Sequence, residues 1–267
     1  MDSHSRTTGA VQLTSLIATD LDGTLFHSRG VVSERAIAAI HACQAAGMHV
    51  TIATARPYLS VKHLLDPRLH SDTYWICSNG ALLYRGDRCL YQDALAVGTA
   101  LAVLRRLYAS STAYVISLEM AGRLFIDTDL DSDPVPIQYA DLISTVIEPV
   151  SKILVTMADA PHAAVILPEL PVDCAVLMAD EGRYASISSP TASKETALQV
   201  LLDKLSLSFS EVISFGDDCN DVGMIARSGI GVAMSNAIPQ VLAVADRVTL
   251  SNTEDGVAVV LEELVLT

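Results

Sequence analysis

Three short apolar runs, at residues 16–19, 49–54 and 74–78, alternate with two segments of helical spacing in the first 80 residues. Strands separated by helices do not pair as hairpins. They lie parallel, joined by right-handed crossovers, and a ligand site opens beyond their carboxyl ends. Ser33 is placed to cap a helix running to about residue 46, with Gly47 as its stop. Pro57 ends the pairing of the second strand and starts a helix over about 58–65, and Asn79-Gly80 turns the chain after the third strand.

From about residue 82 the pattern changes. Segments 82–91, 112–127 and 174–188 read as hairpins turning at Gly86, Gly122 and Gly182, with helices expected over 93–108 and 161–170 and a strand over 153–157. The alternation then resumes, with helices over 193–205, 221–228, 238–245 and 255–266 and strands over 211–215, 230–234 and 247–250. The expected fold class is α/β: a Rossmann-like parallel sheet core with helices on both faces, plus an inserted α+β domain. The core is expected over 1–83 and 186–267 and the insert over 84–185, a division suited to a 267-residue chain.

Composition narrows the partners. A hydrophobic share of 51% argues for a buried sheet and against disorder, and a net charge of −14 disfavours binding to nucleic acid or an anionic membrane. The uncharged runs 36–55 and 228–245 are interrupted by polar and turn residues, so each reads as two soluble elements rather than a membrane span. The start of the chain lacks a basic segment followed by an apolar one, which gives a cytoplasmic expectation. Five scattered cysteines fit reduced thiols, with Cys77 and Cys219 expected as small buried hydrophobes, and the seven histidines show no zinc-site spacing.

The first strand delivers Asp20 and Asp22 into the turn Asp20-Leu21-Asp22-Gly23-Thr24. Two acids so close need a cation, a shared proton or bound donors; taken alone they fit an acidic helix cap equally well. Strand 212–215 empties into Gly216-Asp217-Asp218-Cys219-Asn220-Asp221. If both strand ends face one crevice, Asp20 and Asp217 share a hard cation, Mg²⁺ by preference, with Asp221 supporting its shell. Thr54 offers a hydroxyl at a strand end, and Lys194 an ammonium at a helix start.

Taken in order, Asp20-Leu21-Asp22-Gly23-Thr24-Leu25, Thr54, Lys194 and Gly216-Asp217-Asp218-Cys219-Asn220-Asp221 resemble the four motifs of the haloacid dehalogenase-like phosphohydrolases. The spacing and the insert resemble the Cof-type subfamily with its large α/β cap, as do Ser78-Asn79-Gly80-Ala81 and Val232-Ala233-Met234-Ser235-Asn236-Ala237. Ala55, Glu195 and Ser235 stand where that family often has glycine, and Glu195 is expected to weaken the pull of Lys194 on phosphate.

The resemblance implies a Mg²⁺-dependent phosphatase of small phosphorylated metabolites, sugar phosphates foremost. Asp20 would be the nucleophile that forms an aspartyl-phosphate, and Asp22 the acid and then the base. Thr54 and Lys194 would complete the catalytic set, with Leu21, Thr54, Ala55, Lys194 and Asn220 around the phosphate. Asp20, Asp217, Asp221 and the backbone carbonyl of Asp22 would form the metal set. In the cap, Tyr114, Glu119, Arg123, Arg183 and Tyr184 are the candidates for reading the leaving group. The oligomeric expectation is a monomer or homodimer. The alternatives are a phosphomutase or phosphotransferase of the same superfamily, and a non-catalytic phosphometabolite-binding protein.

Overall fold

The computed structural model describes residues 14–28, 30–128, 136–179 and 181–265. The chain begins with β1 (Leu16–Thr19), α1 (Glu34–Ala45), β2 (His49–Ala53), α2 (Tyr58–Leu64), β3 (Thr73–Cys77), β4 (Leu82–Arg85) and β5 (Arg88–Gln92). It continues through α3 (Val97–Ala109), β6 (Tyr114–Met120), β7 (Arg123–Ile126), β8 (Ile137–Tyr139), α4 (Leu142–Thr145), β9 (Val150–Met157), β10 (Ala175–Ala179) and β11 (Tyr184–Ser188). It closes with α5 (Lys194–Leu205), β12 (Val212–Gly216), α6 (Val222–Arg227), β13 (Ile230–Ala233), α7 (Pro239–Leu242), β14 (Arg247–Val248) and α8 (Gly256–Val265).

Two sheets result. The first has the order β14-β13-β12-β1-β2-β3-β4-β5, parallel from β14 through β3. Strand β1 is central and fully buried because both faces are covered. Ile17 packs with α1, α2 and α8, while Leu16 and Ala18 pack under Leu198, Leu201 and Leu202 of α5. Succession runs outward from β1 through β2 and β3 on one side and returns through β12 on the other. The order therefore reverses between β1 and β12, the place where an open α/β sheet leaves a crevice at its carboxyl edge.

The second sheet, β10-β11-β9-β6-β7-β8, is antiparallel except for β7 beside β8. Its own core sits on one face, where Ile116, Leu118, Ile153 and Val155 meet Val103, Leu104 and Leu107 of α3. Alternation turns Ser117, Glu119, Lys152 and Leu154 to the opposite face. That face looks toward the first sheet, since Lys152 and Glu119 bond to its loops.

The α/β architecture with a second α+β unit is the one expected, and two local expectations are corrected. The hairpin β4–β5, placed from residue 84 onward in the insert, extends the eight-stranded sheet instead. Its burial explains this: Leu82 and Tyr84 join the core on one face of that sheet and Leu83 the core on the other. The helix expected over 161–170 does not form; the segment is irregular, and Val165 N–H donates to Gly182 C=O. Pro168 removes a helical donor and clashes with the preceding turn, which outweighs the apolar spacing. Strand β8 and the single-turn α4 were not foreseen. Each apolar run taken for two soluble elements does split, into α1 and β2 and into β13 and α7, and no helix among the described residues is long and apolar enough to cross a membrane.

Candidate active site

Strands β1 and β12 end side by side, with Thr19 in register with Phe215, and Asp20 N–H continues the ladder to Phe215 C=O. This pairing carries Asp20 into contact with the turn after β12. Lys194, the first residue of α5 and 1% exposed, reaches in from the opposite layer. Its Nζ donates to Asp20 Oδ1 and to Asp221 Oδ1, both at 2.6 Å. The other oxygen of Asp221 accepts the backbone N–H groups of Asp217 and Asp218 at 3.1 Å each. Asp221 therefore shapes the turn that presents Asp217, and Asp217 Oδ1 accepts the Thr24 hydroxyl at 2.7 Å.

Two glycines permit this approach. A Cβ on Gly23, at φ +82°, would lie 2.2 Å from Asp217 Oδ2. One on Gly80, at φ +94°, would lie 1.9 Å from Ser193 C=O, directly before Lys194. Asn236 secures the first turn from β13's side, donating to Gly23 C=O at 2.9 Å.

Asp20, Asp217 and Asp221 offer oxygens that lie within 4.8 Å of one another. Three carboxylates against one ammonium leave two negative charges in a largely buried space. Burial raises Asp20 well above the ordinary carboxylate range against the opposing pull of Lys194, and Asp221 and Asp217 push it further up. Burial likewise pushes Asp217 up to about 6 although the Thr24 hydroxyl lowers it. Burial alone would lower Lys194, but Asp20 and Asp221 outweigh it and hold the ammonium charged. An all-oxygen site two positive charges short of neutrality fits a hard divalent cation.

Asp22 stands apart from this cluster. Its side chain is exposed, and both its oxygens are taken by Arg56, from Nε at 2.6 Å and Nη2 at 2.7 Å. Any role of Asp22 toward a metal is therefore left to its backbone. Thr54 is buried and its hydroxyl oxygen accepts Arg56 N–H at 3.1 Å, a bond that leaves the hydroxyl hydrogen uncommitted. The side chain of Leu21 is in the core, so only its backbone faces the turn. Ala55 C=O accepts Lys152 Nζ at 2.7 Å. Asn220 donates to Asn79 Oδ1 at 2.8 Å, while its own Oδ1 is buried and has no partner among the described residues.

Several expectations change at this point. Glu195 does not burden the Lys194 site: its carboxylate pairs with Arg227 Nη1 at 2.7 Å. Cys219 is exposed beside the Asp217 turn rather than buried, whereas Cys77 is a core residue. Among the residues proposed to read a leaving group, Glu119 and Tyr184 face the first sheet. Tyr114 packs on the α3 side with its hydroxyl on Ile166 C=O, and Arg123 lies over the Phe125 ring. Arg56, Asn79, Lys152, Thr24 and Asn236 carry contacts that sequence reasoning did not assign. Arg56, two residues after Thr54, was within reach of that reasoning; the others depend on pairing across the fold.

A cavity of about 170 Å³ joins Ala55, Asn79 and Asn220 to Leu154, Tyr184 and Ser186 of the second sheet. A neighbouring one of about 360 Å³ shares Leu154 and Tyr184 and adds the hydroxyls of Ser60, Ser117 and Thr156.

The sequence model of the haloacid dehalogenase-like hydrolase family matches residues 17–261. YxeH of Bacillus subtilis (strain 168) is 30% identical, the alignment covering 94% of this chain and 98% of that protein. The 5-amino-6-(5-phospho-D-ribitylamino)uracil phosphatase YitU of the same strain is 28% identical over 93% of this chain and 96% of its own. A solved haloacid dehalogenase-like hydrolase from Bacteroides thetaiotaomicron has the same fold, with a TM-score of 0.79 at 24% identity, covering 94% of this chain and 99% of that one.

Proposed function

The chain belongs to the haloacid dehalogenase-like hydrolases of Cof type, and on that premise we propose a magnesium-dependent phosphatase of small phosphorylated metabolites, sugar phosphates foremost. The enzyme class, phosphoric monoester hydrolase, follows from the family and its phosphatase relatives. The observation that carries the rest is the convergence of Asp20, Asp217 and Asp221 on Lys194 at two adjoining strand ends.

Asp20 attacks phosphorus in line; the bond to the leaving oxygen breaks as the aspartyl-phosphate forms. Asp22, once released from Arg56 and protonated, gives that oxygen a proton, then takes one from the water that cleaves the aspartyl-phosphate. Lys194, the Thr54 hydroxyl and the backbone N–H groups at Leu21 and Ala55 hold the phosphoryl oxygens, with Asn220 beside them. Magnesium, held by Asp20, Asp217 and the Asp22 carbonyl with Asp221 in support, would neutralise charge on the transferring group. The Lys194 ammonium has three N–H groups, and its bonds to Asp20 and Asp221 leave one for a phosphoryl oxygen.

The second sheet acts as the cap. The hairpin β4–β5 belongs with the core sheet, which moves the start of the proposed cap from 84 to about 93. The larger cavity mixes the apolar side chains of Val115, Leu124, Ile126 and Ile137 with Ser60, Ser117 and Thr156, which suits a small, uncharged leaving group with both apolar and hydroxyl surface, and YitU is named for a phosphate on a ribityl chain.

Asp20→Asn should abolish chelator-sensitive release of phosphate from an aryl phosphate. Near-normal turnover by that variant, or full activity in EDTA, would refute the reading.

A further inference from the structure

Two charged residues of the second sheet enter the first side by side. Glu119 of β6 and Lys152 of β9 are register partners, 1% and 7% exposed. Burying such groups is costly unless each finds good partners, and both do so on one loop. Glu119 accepts Tyr58 N–H at 3.0 Å and the Ser78 hydroxyl. Lys152 Nζ donates to Ala55 C=O at 2.7 Å.

The loop between these anchors is Ala55-Arg56-Pro57-Tyr58. Pro57 has no N–H, and the Tyr58 amide belongs to the first turn of α2, where no helical acceptor exists. The second sheet therefore holds the loop at its first carbonyl and its last amide. Between the two, Arg56 extends over the Phe26 ring at 5.8 Å and makes its paired bonds to Asp22. A continuous chain of contacts runs from Glu119 and Lys152 through the loop backbone to the Asp22 carboxylate.

We infer that Glu119 and Lys152 are positioning residues for proton transfer: by fixing the Ala55–Tyr58 loop from the second sheet, they set where Arg56 stands beside Asp22, the carboxylate that must leave this pair to take up a proton. This rests on the reading of Asp22 as the proton carrier. Neither residue touches the reacting atoms. Their effect is geometric, and a displacement of about 1 Å in such a support is enough to cost about 100-fold in rate.

The test compares an alkyl phosphate, whose leaving oxygen needs a proton, with an aryl phosphate, which needs it far less. Asp22→Asn should slow the alkyl ester much more than the aryl ester. Lys152→Met and Glu119→Ala should lower the alkyl-to-aryl ratio of kcat by about 10-fold or more, beyond any loss that both esters share through the Ala55 N–H. Glu119→Gln, which keeps an acceptor for the Tyr58 amide, should recover most of the rate. Adding Lys152→Met to Asp22→Asn should leave the alkyl-to-aryl ratio of Asp22→Asn unchanged, because both act on one proton transfer. Equal losses on both esters, or a double variant whose alkyl-to-aryl ratio falls below that of Asp22→Asn by the full Lys152→Met factor, would overturn the inference. Asp22→Asn acting equally on both esters would overturn the proton-carrier reading itself, and this inference with it. If Lys152→Met does not fold, Glu119→Ala against Glu119→Gln decides the question alone.

Discussion

Asp217→Asn should stabilise the protein when divalent cations are removed, although it destroys a proposed metal ligand. Asp217 lies beside Asp20 and Asp221, and burial raises its pKa from the ordinary 3.8 to about 6. Between those values the folded state binds more protons than the unfolded one, so this group's contribution to stability falls as pH rises and is fully unfavourable above about 6. From about pH 5 to pH 7.5, a group with these two pKa values loses about 1.4 kcal/mol of stability. Asp217 is half-buried, and solvent screening reduces this to about 1 kcal/mol. Asparagine has no such penalty and keeps an Oδ1 to accept the Thr24 hydroxyl. Urea melts in EDTA should therefore find Asp217→Asn more stable than the natural protein, by a margin about 1 kcal/mol larger at pH 7.5 than at pH 5 and vanishing only below about pH 4, where folded and unfolded states are both protonated. In millimolar Mg²⁺ the order should reverse, because only the natural protein gains the binding energy of the ion. If the natural protein is the more stable in EDTA at pH 7.5, or if Mg²⁺ shifts both proteins equally, the argument from uncompensated charge is wrong.

Two further outcomes follow from close contacts. Gly80→Ala should destabilise by more than about 2 kcal/mol and lower activity, since its Cβ would meet Ser193 C=O at 1.9 Å and its φ is +94°; an unchanged melting temperature would contradict this. Glu195→Gln should leave kcat and KM within about twofold and cost at most about 1 kcal/mol, because its partner is the half-exposed Arg227 rather than the Lys194 site. A large change in KM for phosphate esters would show that its charge does reach the site.

Much of the site was legible in sequence because its parts sit at strand ends. Apolar runs identify β1 and β12, Gly23 and Gly216 mark the turns, and Ser33 and Ser193 cap the helices that follow, each accepting a backbone N–H. No helix forms over 161–170, because Pro168 breaks it despite the apolar spacing. The β4–β5 hairpin was correct as a hairpin and misplaced as to sheet. Local alternation records that a strand exists, whereas its neighbour is chosen by which buried face needs covering.

The sequence alone determined most of the elements, their order and the supply of acids, hydroxyls and ammonium at the carboxyl edge. These depend on periodicity and turn chemistry within a few residues. Only the tertiary structure decided which charge meets which: Lys194 goes to Asp20 and Asp221, Arg56 to Asp22, Arg227 to Glu195, and Glu119 with Lys152 to the Ala55–Tyr58 loop. The residues of these pairs lie up to 174 positions apart. Burial selects the partners, because a charge removed from water must find its complement in whatever the packed layers bring within reach.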